Sequence, residues 1–301
     1  MAKNNSIDFI VVGAQKSGTT SLYQYLKCHP EIFLPDKKEL EFFYRDELFS
    51  RGYDWYIDTF FKDATNDSKI GEVSPQYMFD ESIPYRIKSC CPDVKVIMIL
   101  RSPIERAYSH YKMSCRRSLE DRSFSEVVES YINRDGTDGD KISCLDPNHE
   151  YIRFGEYGRI LSEYLKYFER NKILIIFTDD LKRNAQSVMN SVFGFIGVSG
   201  DFMSSKFDKT YHVGGSSRRF IGFHNWLKKR VFLRKVFRFI ISDTYYSRLR
   251  FWYETELSVA KNDDRGIDDV TKGVLRNYYM DDVRLLEKLC RKKVCWTEFL
   301  E

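Results

Sequence analysis

The residues with the plainest chemical purpose lie near the start of the chain, in Gly13-Ala14-Gln15-Lys16-Ser17-Gly18-Thr19-Thr20. They follow the apolar run Ile7 to Val12 and precede a helix-like segment from Thr19 to about Cys28. A glycine-rich turn between strand and helix presents backbone N–H groups at a helix N-terminus, where unpaired donors and the helix dipole attract a phosphate. The two glycines have the Gly-x4-Gly spacing of an ATP-binding loop, yet Thr19 stands where such a loop has lysine, and the lysine lies inside the turn at Lys16. A Mg²⁺-dependent enzyme also needs an acid at the end of a neighbouring strand. Here the apolar strand Val94 to Leu100 runs into Arg101 instead. A cation there repels a metal and welcomes a further phosphate. The expected ligand is a nucleotide phosphorylated at more than one position, bound without metal, which disfavours an ATP-dependent kinase.

The elements that position these residues alternate. Strands are expected at Lys69 to Glu72 and Ile173 to Phe177, with helices at Ser82 to Cys91, Ile104 to Ser118, Gly158 to Arg170, Ala185 to Ile196 and Ile267 to Cys290. The alternation predicts an α/β chain, a P-loop-like three-layer fold with a central parallel sheet flanked by helices. A length of 301 residues suits a single domain over 1–301, with a helical region at 265–301. Residues Arg134 to Asn148 read as a polar surface loop. Between Arg218 and Arg250, cations alternate with aromatic residues, a pattern that fits a lid or acceptor-site helix, a membrane-surface helix or plain structure.

Composition narrows the class further. Hydrophobic residues are 43% and charged residues 31%, so the chain has the means to bury a core. The net charge of +4, from 48 basic and 44 acidic residues, does not mark a nucleic-acid binder. Seven cysteines without a CxxC pair suit free thiols rather than disulfides or zinc ligands. No signal-peptide core or membrane span is evident near the N-terminus. A cytoplasmic location is expected, with no metal, no nucleic-acid partner and no membrane contact.

Two segments together resemble the family of sulfotransferases that use 3′-phosphoadenosine 5′-phosphosulfate (PAPS). Phe9 to Thr20 resembles its 5′-phosphosulfate loop, and Val96 to Ser109, containing Arg101-Ser102-Pro103-Ile104-Glu105-Arg106-Ala107-Tyr108-Ser109, resembles its 3′-phosphate motif. Ile173 to Leu181 and Gly214 to Arg219 are similar to later family segments, so the likeness covers most of residues 8 to 220. It implies PAPS as sulfuryl donor and PAP as product. Ser17, Gly18, Thr19, Thr20 and Ser21 would then cradle the 5′-phosphate, Lys16 would stabilise the leaving group, Arg101 and Ser109 would bind the 3′-phosphate, and Arg218 would add a phosphate contact.

Sulfuryl transfer also needs a base for the acceptor's proton. None of His29, His110, His149, His212 and His224 falls where the cytosolic small-molecule branch carries its catalytic histidine. Lys37-Lys38-Glu39-Leu40-Glu41-Phe42-Phe43 instead resembles the Lys-Glu-x-x-Phe-Phe segment of heparan-type and many bacterial members. The resemblance puts the base at Glu39, with Lys38, Glu41 and Tyr77 as acceptor-side residues. Gly71 to Tyr77 is similar to the family's Glu-Lys-Thr-Pro-x-Tyr, except that Val73 replaces a lysine. Losing that cation suits a small natural product as acceptor. A carbohydrate or glycolipid acceptor is the alternative, and a non-catalytic PAP-binding protein is the rival of another class.

Overall fold

The computed structural model describes residues 6–117, 119–133, 150–209, 211 and 266–300. All of these except Tyr211 and Gly266 belong to one unit, formed by Met1–Thr210 together with Ile267–Glu301. The expected polar loop at 134–148 and the basic aromatic stretch at 218–250 lie outside the described residues, apart from the loop's flanks.

Five parallel strands form the centre: β1 (Phe9–Gly13), β2 (Ile32–Phe33), β3 (Lys69–Val73), β4 (Lys95–Leu100) and β5 (Ile173–Phe177), in the order β2-β3-β1-β4-β5. Phe9 is in register with Gly71 on one side and Lys95 on the other, and Val96 with Ile173. The middle strands are continuous apolar runs because both faces of a parallel sheet are covered by helices. Every residue of β1 is buried, as is all of β4 after Lys95. Since the chain steps from β1 to one side for β3 and to the other for β4, the carboxyl ends of these three strands frame the crevice where α/β sheets bind ligands.

The helices are α1 (Thr19–Leu26), α2 (Asp46–Phe49), α3 (Tyr53–Phe60), α4 (Ile83–Cys90), α5 (Pro103–Arg116), α6 (Phe124–Ile132), α7 (Tyr157–Leu165), α8 (Thr178–Arg183), α9 (Ala185–Ile196) and α10 (Asp269–Cys290). The fold is thus the α/β arrangement expected. The short elements β2, α2, α3, α6 and α8 were not foreseen. Helix α7 stops at Leu165 rather than Arg170, because the chain tightens into a turn that buries Phe168. No helix among the described residues is long and apolar enough to cross a membrane. Six cysteines among them are free thiols, including the adjacent pair Cys90 and Cys91.

Helix α10 buries a stripe of Thr271, Leu275, Tyr279, Val283, Leu286 and Cys290, the spacing of one helical face. It meets α7 closely. The Asp282 carboxylate accepts hydrogen bonds from the backbone N–H groups of Gly158 (2.9 Å) and Arg159 (2.8 Å), two of the donors that the first turn of α7 leaves without a helical partner. A Cβ at position 158 would stand 2.3 Å from the Asp282 carbonyl oxygen, so only glycine permits this approach.

Candidate active site

Three strand ends bring the site together. After β1 the chain turns through Ala14 to Gly18, anchored by Ala14 N–H donating to Ile99 O at 2.8 Å. Lys16 has φ +71° and Gly18 φ +99°, both left-handed, and Gly18 caps α1 without any side-chain bond. Glycine takes that conformation at no steric cost, and a side chain there would strain the loop. The N–H groups of Thr19 and Thr20 have no carbonyl one turn back within α1, which leaves them as donors that an anion can meet. From the far side, the Thr178 hydroxyl lies between the carbonyls of Ser17 (2.6 Å) and Leu100 (3.1 Å), tying the loop to the end of β4.

The Lys16 ammonium reaches the later turns of α5, where Nζ stands 3.9 Å from Met113 Sδ. Burial and the charges of Arg116, Arg117 and Arg101 bring Lys16 down to about 8, with Glu39 opposing them. Among the described residues neither Arg116 nor Arg117 has an acid within ion-pair distance. The crevice is therefore strongly positive before any ligand enters. Arg101, at the end of β4, donates from Nε to Glu105 one turn into α5 at 2.7 Å. Ser109 lies half-buried two turns along the same helix.

Glu39 sits in the segment that leads towards α2, and its φ of +63° is rare for a residue with a side chain. Its N–H donates to Val73 O at 3.1 Å, which fastens it to the end of β3. Lys38 Nζ donates to Glu39 Oε1 at 2.6 Å and approaches Thr19 Oγ1 at 3.5 Å, while Gln76 Nε2 donates to Glu39 Oε2 at 2.9 Å. Burial pushes this carboxyl up. The Lys38 charge, the bonds from Lys38 and Gln76 and the Arg117 charge outweigh it and hold the group below the usual glutamate range.

Lys16, the loop through Thr20, Lys38, Glu39 and Arg101 thus come together. Glu41 turns aside, with its carboxylate 3.5 Å from the Arg45 guanidinium. Tyr77 was expected on the acceptor side, but it is fully buried and its hydroxyl donates to Glu72 at 2.8 Å, so it supports the site from beneath instead of lining it. Val73, in place of the family's lysine, is buried as well. Arg218 lies outside the described residues. His29 packs between Phe193 and Phe202 and bonds Ser199 O at 3.0 Å, which gives it a structural setting. Gln76, Arg116, Arg117 and Thr178 were missed. For Gln76 a usable signal existed, since it occupies the variable position of a motif already singled out.

Buried polar atoms aimed at no protein partner are a sign of a ligand or water, and here they include Gln15 Oε1 and Gln76 Oε1. Together with the N–H cradle and the cations of the crevice, they fit an anionic nucleotide.

These features fit a nucleotide-phosphate-binding protein of the P-loop kind, with a carboxylate joined through Lys38 to the helix that follows the loop. Residues 6–212 match the sulfotransferase domain, and the chain belongs to the PAPS-dependent sulfotransferase family. Two curated relatives are bifunctional heparan sulfate N-deacetylase/N-sulfotransferase 4 of Mus musculus, 34% identical over 203 residues, and bifunctional heparan sulfate N-deacetylase/N-sulfotransferase 3 of Homo sapiens, 36% identical over 203 residues. The alignments cover 64% and 63% of this chain but 22% of each relative, so the chain spans about a fifth of the length of the curated relatives it matches. A sulfotransferase from Alicyclobacillus acidocaldarius shares the fold, with a TM-score of 0.65, 24% identity and 98% coverage of both chains.

Proposed function

We propose that the protein moves the sulfuryl group of PAPS to an amine or hydroxyl of a carbohydrate, with Glu39 as base. The observation that carries this reading is the bridge through Lys38, which places the Glu39 carboxylate one side chain away from the first turn of the phosphate-loop helix. The acceptor's nitrogen or oxygen attacks sulfur, the bond from sulfur to the bridging phosphate oxygen breaks, and the electron pair leaves on PAP. Glu39 takes the acceptor's proton. Lys16 neutralises the charge that grows on the bridging oxygen, an interaction stronger in the transition state than in the ground state. The loop from Ser17 to Ser21 holds the 5′-phosphate, and Arg101 with Ser109 holds the 3′-phosphate.

The carbohydrate acceptor is supported by relatives named for heparan sulfate. Buried Val73 favours a second reading, a small natural product, because it removes a cation from the acceptor side. Labelled PAPS offered to a glucosamine-containing oligosaccharide, and separately to a pool of small alcohols, phenols and amines, distinguishes the two. Label in the oligosaccharide is the expected result. Label only in the small-molecule pool selects the second reading, and PAP binding without transfer to any acceptor or to water overturns both.

The nucleotide assignment has its own test. Arg101→Ala removes charge-assisted hydrogen bonds of the kind worth about 1.5–3 kcal/mol, so PAP should bind about 10- to 100-fold more weakly by titration calorimetry. Adenosine 5′-monophosphate, which lacks the 3′-phosphate, should lose little. An equal loss for both nucleotides would remove Arg101 from the 3′-phosphate site.

A further inference from the structure

Glu72 lies in β3 with 1% of its surface exposed, and among the described residues no lysine or arginine is within ion-pair distance of it. Burial pushes its carboxyl above the usual glutamate range, against the hydrogen bonds from Ser74, Tyr56 and Tyr77 that surround it. Tyr56 donates to Oε2, while Ser74 and Tyr77 donate to Oε1. Burying an acid in a sheet costs free energy that an apolar residue of similar size would not, so its presence asks for a reason beyond packing.

Each of the three hydroxyl residues also holds one residue of the segment that follows Glu39. The Leu40 N–H donates to Ser74 Oγ at 3.1 Å, and the Phe43 N–H donates to Tyr77 Oη at 3.3 Å. The Tyr56 ring stacks on Phe42 with centroids 4.2 Å apart and planes 11° apart. This segment needs holding, because both Glu39 and Glu41 are left-handed, at φ +63° and +62°. Such conformations persist in residues with side chains only where the surroundings over-determine them. The Glu72 turn supplies the rest of the cradle through Val73 O, which accepts from the Glu39 N–H, and Gln76, which donates to the Glu39 carboxylate.

We propose that Glu72 is a positioning residue for sulfuryl transfer: its carboxylate gathers Tyr56, Ser74 and Tyr77 into a bracket that holds Leu40 to Phe43 and so aims the Glu39 carboxylate at the reacting centre. This rests on the reading of Glu39 as base. A glutamate suits the task because its two carboxyl oxygens accept from three hydroxyls at once, leaving the Ser74 and Tyr77 oxygens turned towards the backbone N–H groups.

The test compares Glu72→Gln, Glu39→Gln and the double variant in the full chain, with sulfate release from labelled PAPS to water and to a glucosamine-containing oligosaccharide as the rates, and PAP affinity as the measure of an intact nucleotide site. Misplacing a reacting group by about 1 Å costs on the order of 100-fold. Glu72→Gln should lower kcat about 10- to 100-fold, leave PAP affinity within about twofold, and add almost nothing to the loss in Glu39→Gln, since residues acting through one group are non-additive. The proposal is overturned if Glu72→Gln keeps its rate, or if it cuts the rate by the same factor whether or not Glu39 is present. If Glu72→Gln loses PAP binding, Ser74→Ala and Tyr77→Phe each remove one point of the bracket; a fall in kcat with PAP affinity kept supports the inference, and unchanged kcat in both overturns it. Full activity in Glu39→Gln is a different result, which defeats the assignment of the base itself.

Discussion

Glu39→Gln is expected to lower kcat by about 10²- to 10⁴-fold, the range that a positioned proton acceptor contributes, while PAP affinity stays within about twofold. The amide fits the space and can still accept from Lys38, but it cannot take a proton. The wild-type pH profile follows from the same geometry. As the proposed base Glu39 works when ionised, so activity should be lost as pH falls through its pKa, and the Lys38 and Gln76 contacts hold that pKa below the usual glutamate range. No acid limb from Glu39 should therefore appear in kcat/KM near neutrality. A Glu39→Gln enzyme with kcat within threefold of wild type would end its candidacy as base.

The second large effect belongs to Lys16. Lys16→Ala should lower kcat by about 10²- to 10³-fold, as removal of a donor to developing negative charge does, while PAP binding weakens by only about tenfold, the worth of one charged hydrogen bond. The reverse ratio would place Lys16 in ground-state binding alone. Its lowered pKa gives a second signature. In the proposed role Lys16 must be protonated to meet the phosphosulfate, and in the free protein burial and then Arg116, Arg117 and Arg101 bring its pKa down to about 8. Below that pH the cation is already present; above it, a proton must be taken up on binding, so kcat/KM for PAPS should fall as pH rises through about 8. Lys16→Arg should flatten this limb because a guanidinium stays charged. A limb of unchanged position in Lys16→Arg would assign it to another group.

The phosphate loop was legible because it is local. Gly13, Lys16 and Gly18 lie within one turn, and the strand before and helix after them announce themselves by composition. Arg101 was legible for the same reason, standing where an apolar strand stops. The setting of Glu39 was not, because Gln76 is 37 residues away and the Arg117 charge acts on the carboxylate from the end of α5, further still along the chain. Tyr77 shows the limit from the other direction. A tyrosine in a motif beside the site invites an acceptor-side role, and nothing in its spacing tells that buried Glu72 will draw the phenol inwards. The short helices α2, α3, α6 and α8 run for only 4, 8, 9 and 6 residues, too short to show a long periodic face, and of the four only α6 has a side-chain cap, so pattern alone passed over them.

The approach of α10 to α7 at Gly158 bears on how the molecule comes into being. The phosphate loop, the Glu39 segment and Arg101 are all made well before α10, yet the amides at the start of α7 wait for Asp282 and the apolar faces there wait for Leu275, Tyr279 and Leu286. A chain still on the ribosome can assemble the sheet that holds the site and cannot finish the layer beside it. During synthesis the contact between α7 and α10 can therefore form only after α10 has cleared the exit tunnel.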